Sequence, residues 1–184
     1  MTGISYLLSP SGTILKVLTP EAWTAFALAN GGAAIADPRT VEGRPIGAFI
    51  AGEETRLSVE TALRVAAAGT PLRYLFRCDA PTVRRYMRMR LERTGAGAVR
   101  ASTHLLAEEP RAARLLFADP MAAPAAWPLR RICSYCKRIE HPGEAGSWLD
   151  GEAYEADGHS LEARLSHGVC PACAAHLVDS LEEE

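Results

Sequence analysis

Two cysteine pairs, Cys133-Ser134-Tyr135-Cys136 and Cys170-Pro171-Ala172-Cys173, constrain this chain more than anything else in it. Two intervening residues let both sulfurs of a pair turn toward one ion, and two such pairs supply the four thiolates of a closed tetrahedral zinc site. Cys133, Cys136, Cys170 and Cys173 are the expected metal ligands, with structural Zn2+ as the expected cofactor. His167, three residues before Cys170, and His176 offer nitrogen alternatives, but four sulfurs need no fifth donor; His167 is expected to orient the second pair by a hydrogen bond. A full thiolate shell has no open position for water, so a catalytic metal is not expected. Pro171 suits the first position of a helix that carries Cys173 in its first turn, where the helix dipole favours a thiolate.

The 33 residues between the pairs exceed the spacing of the simplest double-knuckle pattern, so an insertion is expected. Trp148, Leu149, Tyr154, Leu161 and Leu165 would give it a miniature core once the metal has closed the loop. Five cysteines in 184 residues are too few for a disulfide framework. The competing use of the pairs is thiol redox exchange, and thiol titration separates the two, because metal-bound thiolates react slowly until a chelator is added.

Residues 119–128 carry Pro120, Pro124 and Pro128, which no helix tolerates, and therefore read as a linker. Bases outnumber acids 15 to 11 before Leu129, and acids outnumber bases 11 to 5 from Arg130 onward. The expected organisation is a first domain over 1–108, an exit helix and Pro/Ala linker over 109–129, and a zinc module over 130–184. The acidic balance of the third part argues against phosphate binding, so nucleic acid is not an expected partner, although a zinc-ribbon regulator of transcription is the alternative to weigh. No apolar run reaches membrane-spanning length, no secretory leader opens the chain, and the cytoplasm is the default compartment.

Within the first part, Ile4–Leu8 and Thr13–Leu18 read as strands joined by the turn Ser9-Pro10-Ser11-Gly12. Thr19 is placed to cap a helix from Pro20, with Ala22, Trp23, Phe26 and Ala29 on one face and Asn30-Gly31-Gly32 ending it. A second helix is expected from Glu54 to Ala68, its apolar positions including Leu57, Leu63, Val65 and Ala66. Leu72, Tyr74, Phe76 and Cys78 alternate with exposed positions, as do Met87, Met89 and Leu91, and Val99–Leu106 follows the turn at Gly95-Ala96-Gly97. Glu109–Ala118 reads as the exit helix.

That order, two strands, helices, three strands, resembles the PAS domain. The wording Trp23-Thr24-Ala25-Phe26-Ala27, Val41-Glu42-Gly43-Arg44-Pro45-Ile46 and Phe76-Arg77-Cys78-Asp79-Ala80-Pro81 before Arg84-Arg85-Tyr86-Met87 is similar to bacterial PAS-like sensor proteins. Ile132-Cys133-Ser134-Tyr135-Cys136-Lys137-Arg138-Ile139, Trp148, Tyr154 and Ser166-His167-Gly168-Val169-Cys170-Pro171-Ala172-Cys173 resemble a cysteine module found at the C-terminus of bacterial PAS and response-regulator proteins. The resemblance implies an α+β fold: a PAS-like five-stranded antiparallel sheet with helices on one face, then a small zinc-ribbon-like module. It implies a cytoplasmic sensory function, a signalling protein as partner, a homodimer, and a cavity able to take a small molecule.

Tyr74, Phe76, Met87 and Met89 would line such a cavity, but methionine and aromatics at this spacing ordinarily pack, and a filled core is expected. No haem or flavin is expected: His104, on the outward parity of its strand, is the lone histidine of the first part, and Cys78 lacks the Asn-Cys-Arg-Phe setting of flavin-binding relatives. Cys78 reads as a small buried hydrophobe, Arg77 and Asp79 as part of a surface ion-pair network, and Arg84, Arg85, Arg88, Arg90 and Arg93 as solvated charge. No catalytic residue is expected, and the chain is read as a non-enzyme.

Overall fold

The structure, a computed structural model, describes residues 3–50, 53–80, 82–111 and 124–182. β1 (Ile4–Leu8) and β2 (Ile14–Val17) form an antiparallel hairpin whose turn places Gly12 at φ +85°, a left-handed position that costs other residues about 1 kcal/mol or more. α1 (Pro20–Ala29) starts where Pro20 predicts. Thr19, however, does not cap it; its hydroxyl accepts the Ser5 N–H at 2.9 Å and so ties the helix start to β1. Ala27, not Ala29, is the buried small residue of this helix.

Three short 3-10 turns, Ala33–Ile35, Pro38–Thr40 and Ile46–Phe49, lead to α2 (Glu53–Ala68). Its inward stripe runs through Val59, Leu63 and Ala66 at helical spacing, whereas Leu57, expected on that stripe, is 53% exposed. β3 (Leu72–Arg77), β4 (Val83–Arg93) and β5 (Val99–Pro110) complete a five-stranded antiparallel sheet of order β2-β1-β5-β4-β3. Tyr6, Leu8, Leu72, Tyr74, Leu91, Val99 and Ala101 share its buried face, as the period-two alternation requires. A bulge at Tyr86/Met87 leaves Leu106 of β5 without a cross-strand partner. β5 also outruns the sequence expectation: Glu109 and Pro110, expected to open the exit helix, pair with Arg84 and Val83. The rest of that helix, from residue 112, and residues 119–123 of the expected linker lie outside the described residues.

A second sheet has the order β8-β7-β6-β9, built from β6 (Leu129–Cys133), β7 (Ile139–Glu140), β8 (Trp148–Leu149) and β9 (Arg164–Gly168). β6 and β9 run parallel, a pairing that needs a crossover of a dozen residues or more. The long insertion between the cysteine pairs is that crossover, and with β7 and β8 it carries α3 (Gly151–Ala156). Tyr154 of α3 is 1% exposed, and its hydroxyl accepts from Arg130 Nε at 2.9 Å. α4 (Pro171–Glu182) follows β9 directly.

The two sheets meet along β3, an edge strand of the first. The Arg77 N–H donates to the Tyr135 carbonyl at 2.6 Å, which occupies an edge group that would otherwise face water. The Tyr135 ring meets Tyr74 edge-on at 5.6 Å. Cys133, Tyr135 and Cys170 belong to one buried cluster with Tyr6, Leu8, Tyr74 and Val99, so both sheets bury their residues in a common core. Among the described residues no helix is long and apolar enough to cross a membrane.

Candidate metal centre

Parallel pairing sets the ends of β6 and β9 side by side, with Cys133 opposite Gly168, and both cysteine pairs leave from those ends. After Cys133 the chain turns tightly: Lys137 N–H donates to the Cys133 carbonyl at 3.0 Å and Cys133 N–H to the Arg138 carbonyl at 2.8 Å. The turn puts Lys137 at φ +61°, a left-handed conformation uncommon outside glycine, and it directs the Arg138 N–H onto the Cys136 sulfur. Cys170 N–H donates to Cys133 Sγ at 3.4 Å. Cys173 sits in the first turn of α4 behind Pro171, as its sequence predicts.

The four sulfurs of Cys133, Cys136, Cys170 and Cys173 lie within 4.8 Å of one another, and those of Cys136 and Cys170 are 3.6 Å apart. None of the four is in a disulfide; Cys133 and Cys170 are buried and the other two half-buried. Crowding splits the acidities of Cys133, Cys136 and Cys173. Hydrogen bonds from the Cys136 and Cys173 thiols hold Cys133 far below the ordinary thiol range. Cys136 is pushed up to about 12 by Cys133, and Cys173 is pushed higher still by Cys133 and Cys136. Four thiolates in so small a space need a cation, and this set could hold a metal ion. His167 and His176 are not among the gathered donors. His167 lies in β9 and lines a cavity, and His176 is exposed on α4.

That cavity adjoins the centre. It is open to solvent and has a volume of about 370 Å³, within the range of about 300–1,000 Å³ typical of small-molecule sites, and the core behind it is packed, with Leu8, Leu63 and Leu91 buried. Tyr74, Phe76 and Met89 line it as the strand parity predicts, together with Phe49 and Leu63. Met87 does not; it lines a separate, smaller cavity with Phe26 of α1. The far wall belongs to the cysteine module, through Ser134, Tyr135, Lys137 and His167. Lys137 Nζ donates to the Ser134 carbonyl at 2.9 Å, and burial lowers its pKa.

The Arg77–Asp79 pair is buried and not on the surface: both side chains are under a tenth exposed. Arg77 Nη2 pairs with Asp79, and Arg77 Nη1 reaches across to the Cys136 carbonyl at 3.0 Å and Asp150 Oδ1 at 3.1 Å. One guanidinium thus holds the first sheet, the first cysteine pair and the start of α3. Sequence reading missed this role because Arg77 stands on the outward parity of β3, which only the cysteine module covers. Arg84 and Arg85 likewise are not solvated. Arg84 binds Glu152 at 2.8 Å; Arg85, 7% exposed, binds Glu108 at 2.8 Å and Asn30 Oδ1 at 2.6 Å. Arg85 shares the parity of Met87 and Met89, the signal by which the sequence could have placed it inward. Cys78 is half-buried at the cavity wall, and desolvation raises its pKa, only partly offset by the Lys137 and Arg85 charges. His104 is exposed on the outer face of β5.

A scan against protein-family models finds no match to this chain, and a search of curated proteins finds none.

Proposed function

We propose that this chain is a cytoplasmic sensory module, in which a PAS-like domain senses a small molecule or partner and a zinc-held module docks to a signalling protein. The observation that carries this reading is the cavity walled on one side by Tyr74, Phe76 and Met89 and on the other by Ser134, Tyr135 and Lys137. An occupant would touch the sheet and the first cysteine pair together, and so bias how the pair sits on the edge of β3. The antiparallel order β2-β1-β5-β4-β3, with its helices between β2 and β3, supports the PAS-like assignment.

Zinc fits the donor set. A Zn–S length of about 2.3 Å separates sulfurs around a tetrahedron by a little under 4 Å, and Cys136 and Cys170 stand 3.6 Å apart. The backbone N–H groups on Cys133 and Cys136 would stabilise thiolate ligands, and four sulfurs leave no position for catalysis. Bound zinc would supply folding energy, on the order of 10 kcal/mol in comparable peptides. The reading includes a homodimer, tested by sedimentation equilibrium, and neither nucleic acid nor catalysis.

The test uses the full chain with its native metal and anilinonaphthalene sulfonate as the cavity probe. Expected are one thiolate-bound zinc per chain, saturable fluorescence, and slower hydrogen exchange in both β3 and residues 133–138 on binding. Saturable binding that leaves 133–138 unchanged would defeat the coupling, and absence of binding would defeat the sensory cavity.

A further inference from the structure

A second group of donors gathers outside the cysteine centre. His141 follows β7, Asp157 ends α3, and His159 lies two residues beyond, across Gly158 at φ +85°. That left-handed glycine reverses the chain so that Asp157 and His159 face His141. Asp157 Oδ2 is 2.8 Å from His141 Nε2 and 3.4 Å from His159 Nε2, and the two ring nitrogens are 3.4 Å apart. We propose that His141, Asp157 and His159 form a second metal site for a divalent ion of borderline softness such as zinc, its fourth position open to water.

The donor chemistry and spacing carry the assignment. Two imidazoles and one carboxylate suit zinc, with bond lengths of about 2.0–2.2 Å; around a tetrahedron these place neighbouring donors roughly 3.4 Å apart, the separation seen for two of the three pairs. The rings are already held. His159 packs on Tyr154 at 4.8 Å between centroids and meets His141 edge-on at 5.0 Å, and Tyr154 is buried beneath them. Side-chain exposures of 19% for His141, 51% for Asp157 and 29% for His159 leave the group reachable from solvent.

Without metal the three atoms satisfy one another through protons, with Asp157 accepting from the rings. Gly143 N–H donates to His141 Nδ1 at 3.1 Å, which places the His141 proton on Nε2. A metal on Nε2 moves that proton to Nδ1 and displaces Gly143, an exposed residue of the turn between β7 and β8. Loading therefore rearranges this turn and leaves Cys133, Cys136, Cys170 and Cys173 untouched.

The experiment titrates Co2+ into the full chain with zinc already in the cysteine centre. Expected is one further equivalent per chain, with ligand-field absorption, no thiolate charge-transfer band, and a shifted Gly143 amide resonance. His159→Gln should abolish it and Asp157→Asn weaken it about tenfold or more, with one zinc per chain retained as the control for folding. Absence of a saturable second equivalent, a thiolate band in its spectrum, or unchanged binding in His159→Gln and Asp157→Asn would overturn the site. None of these outcomes depends on whether the cavity binds a ligand.

Discussion

Asp79 is where a single side chain holds most. It accepts from Arg77, from the Arg85 backbone N–H at 3.3 Å and from Arg111 at 3.5 Å, at 7% exposure. Asp79→Ala would strip Arg77 and Arg111 of their shared carboxylate and leave Arg77 with Asp150 alone, a loss of about 3 kcal/mol. The urea midpoint should fall accordingly at unchanged slope. Arg39, which pairs with Asp37 in solvent at 86% exposure, provides the contrast: its alanine variant should leave the midpoint where it is. Cys78 yields a second expectation. Because burial raises its pKa, less thiolate forms at a given pH, and alkylation of the metal-loaded protein should be slower than that of a free cysteine. Cys78 labelling as fast as a model thiol would contradict its burial.

Loss of a metal held by the four cysteines would be felt most by β6, β9 and the edge of β3. β6 and β9 pair in parallel, without a tight turn to hold them, and the cysteines stand where both strands end. Chelation, or Cys136→Ser, should open this pairing and release the Tyr135 carbonyl from Arg77 N–H. Hydrogen exchange should then rise in residues 129–170 and at β3, while β1 and β2, on the far side of the sheet, keep their protection. Acid acts in the same direction, since thiolate ligands that take up protons release the metal: the stabilisation is present at higher pH and lost as pH falls. Unchanged exchange at β3 after chelation would mean that the contact with Tyr135 does not depend on the centre.

The assembly of two sheets around a cavity sets the remaining expectation. The cleft is open to solvent, and its volume of about 370 Å³ leaves the half-buried Phe49, Phe76 and Met89 short of the contacts that close packing would give. Val59, half-buried on α2 and facing the cavity, is the position from which to fill it. Val59→Phe should raise stability by about 1 kcal/mol and abolish fluorescence of the cavity probe. A variant that is stabilised yet binds the probe as before would show that the probe binds elsewhere.

The local features were legible in the residues alone, because they depend on neighbours along the chain. Alternation in β3, β4 and β5, the turn at Gly12, the start of α1 at Pro20 and the spacing of Cys133, Cys136, Cys170 and Cys173 follow from backbone geometry over a few positions. Arg85 shares the parity of Met87, a signal for burial that the residues alone carry, although its charge by itself reads as solvated. The cavity, the common core, the role of Arg77 and the gathering of His141, Asp157 and His159 were not legible. Each depends on which surface covers the edge of β3 or on how a 33-residue crossover folds back. Those placements arise from contacts far apart along the chain, which no local pattern of residue types encodes.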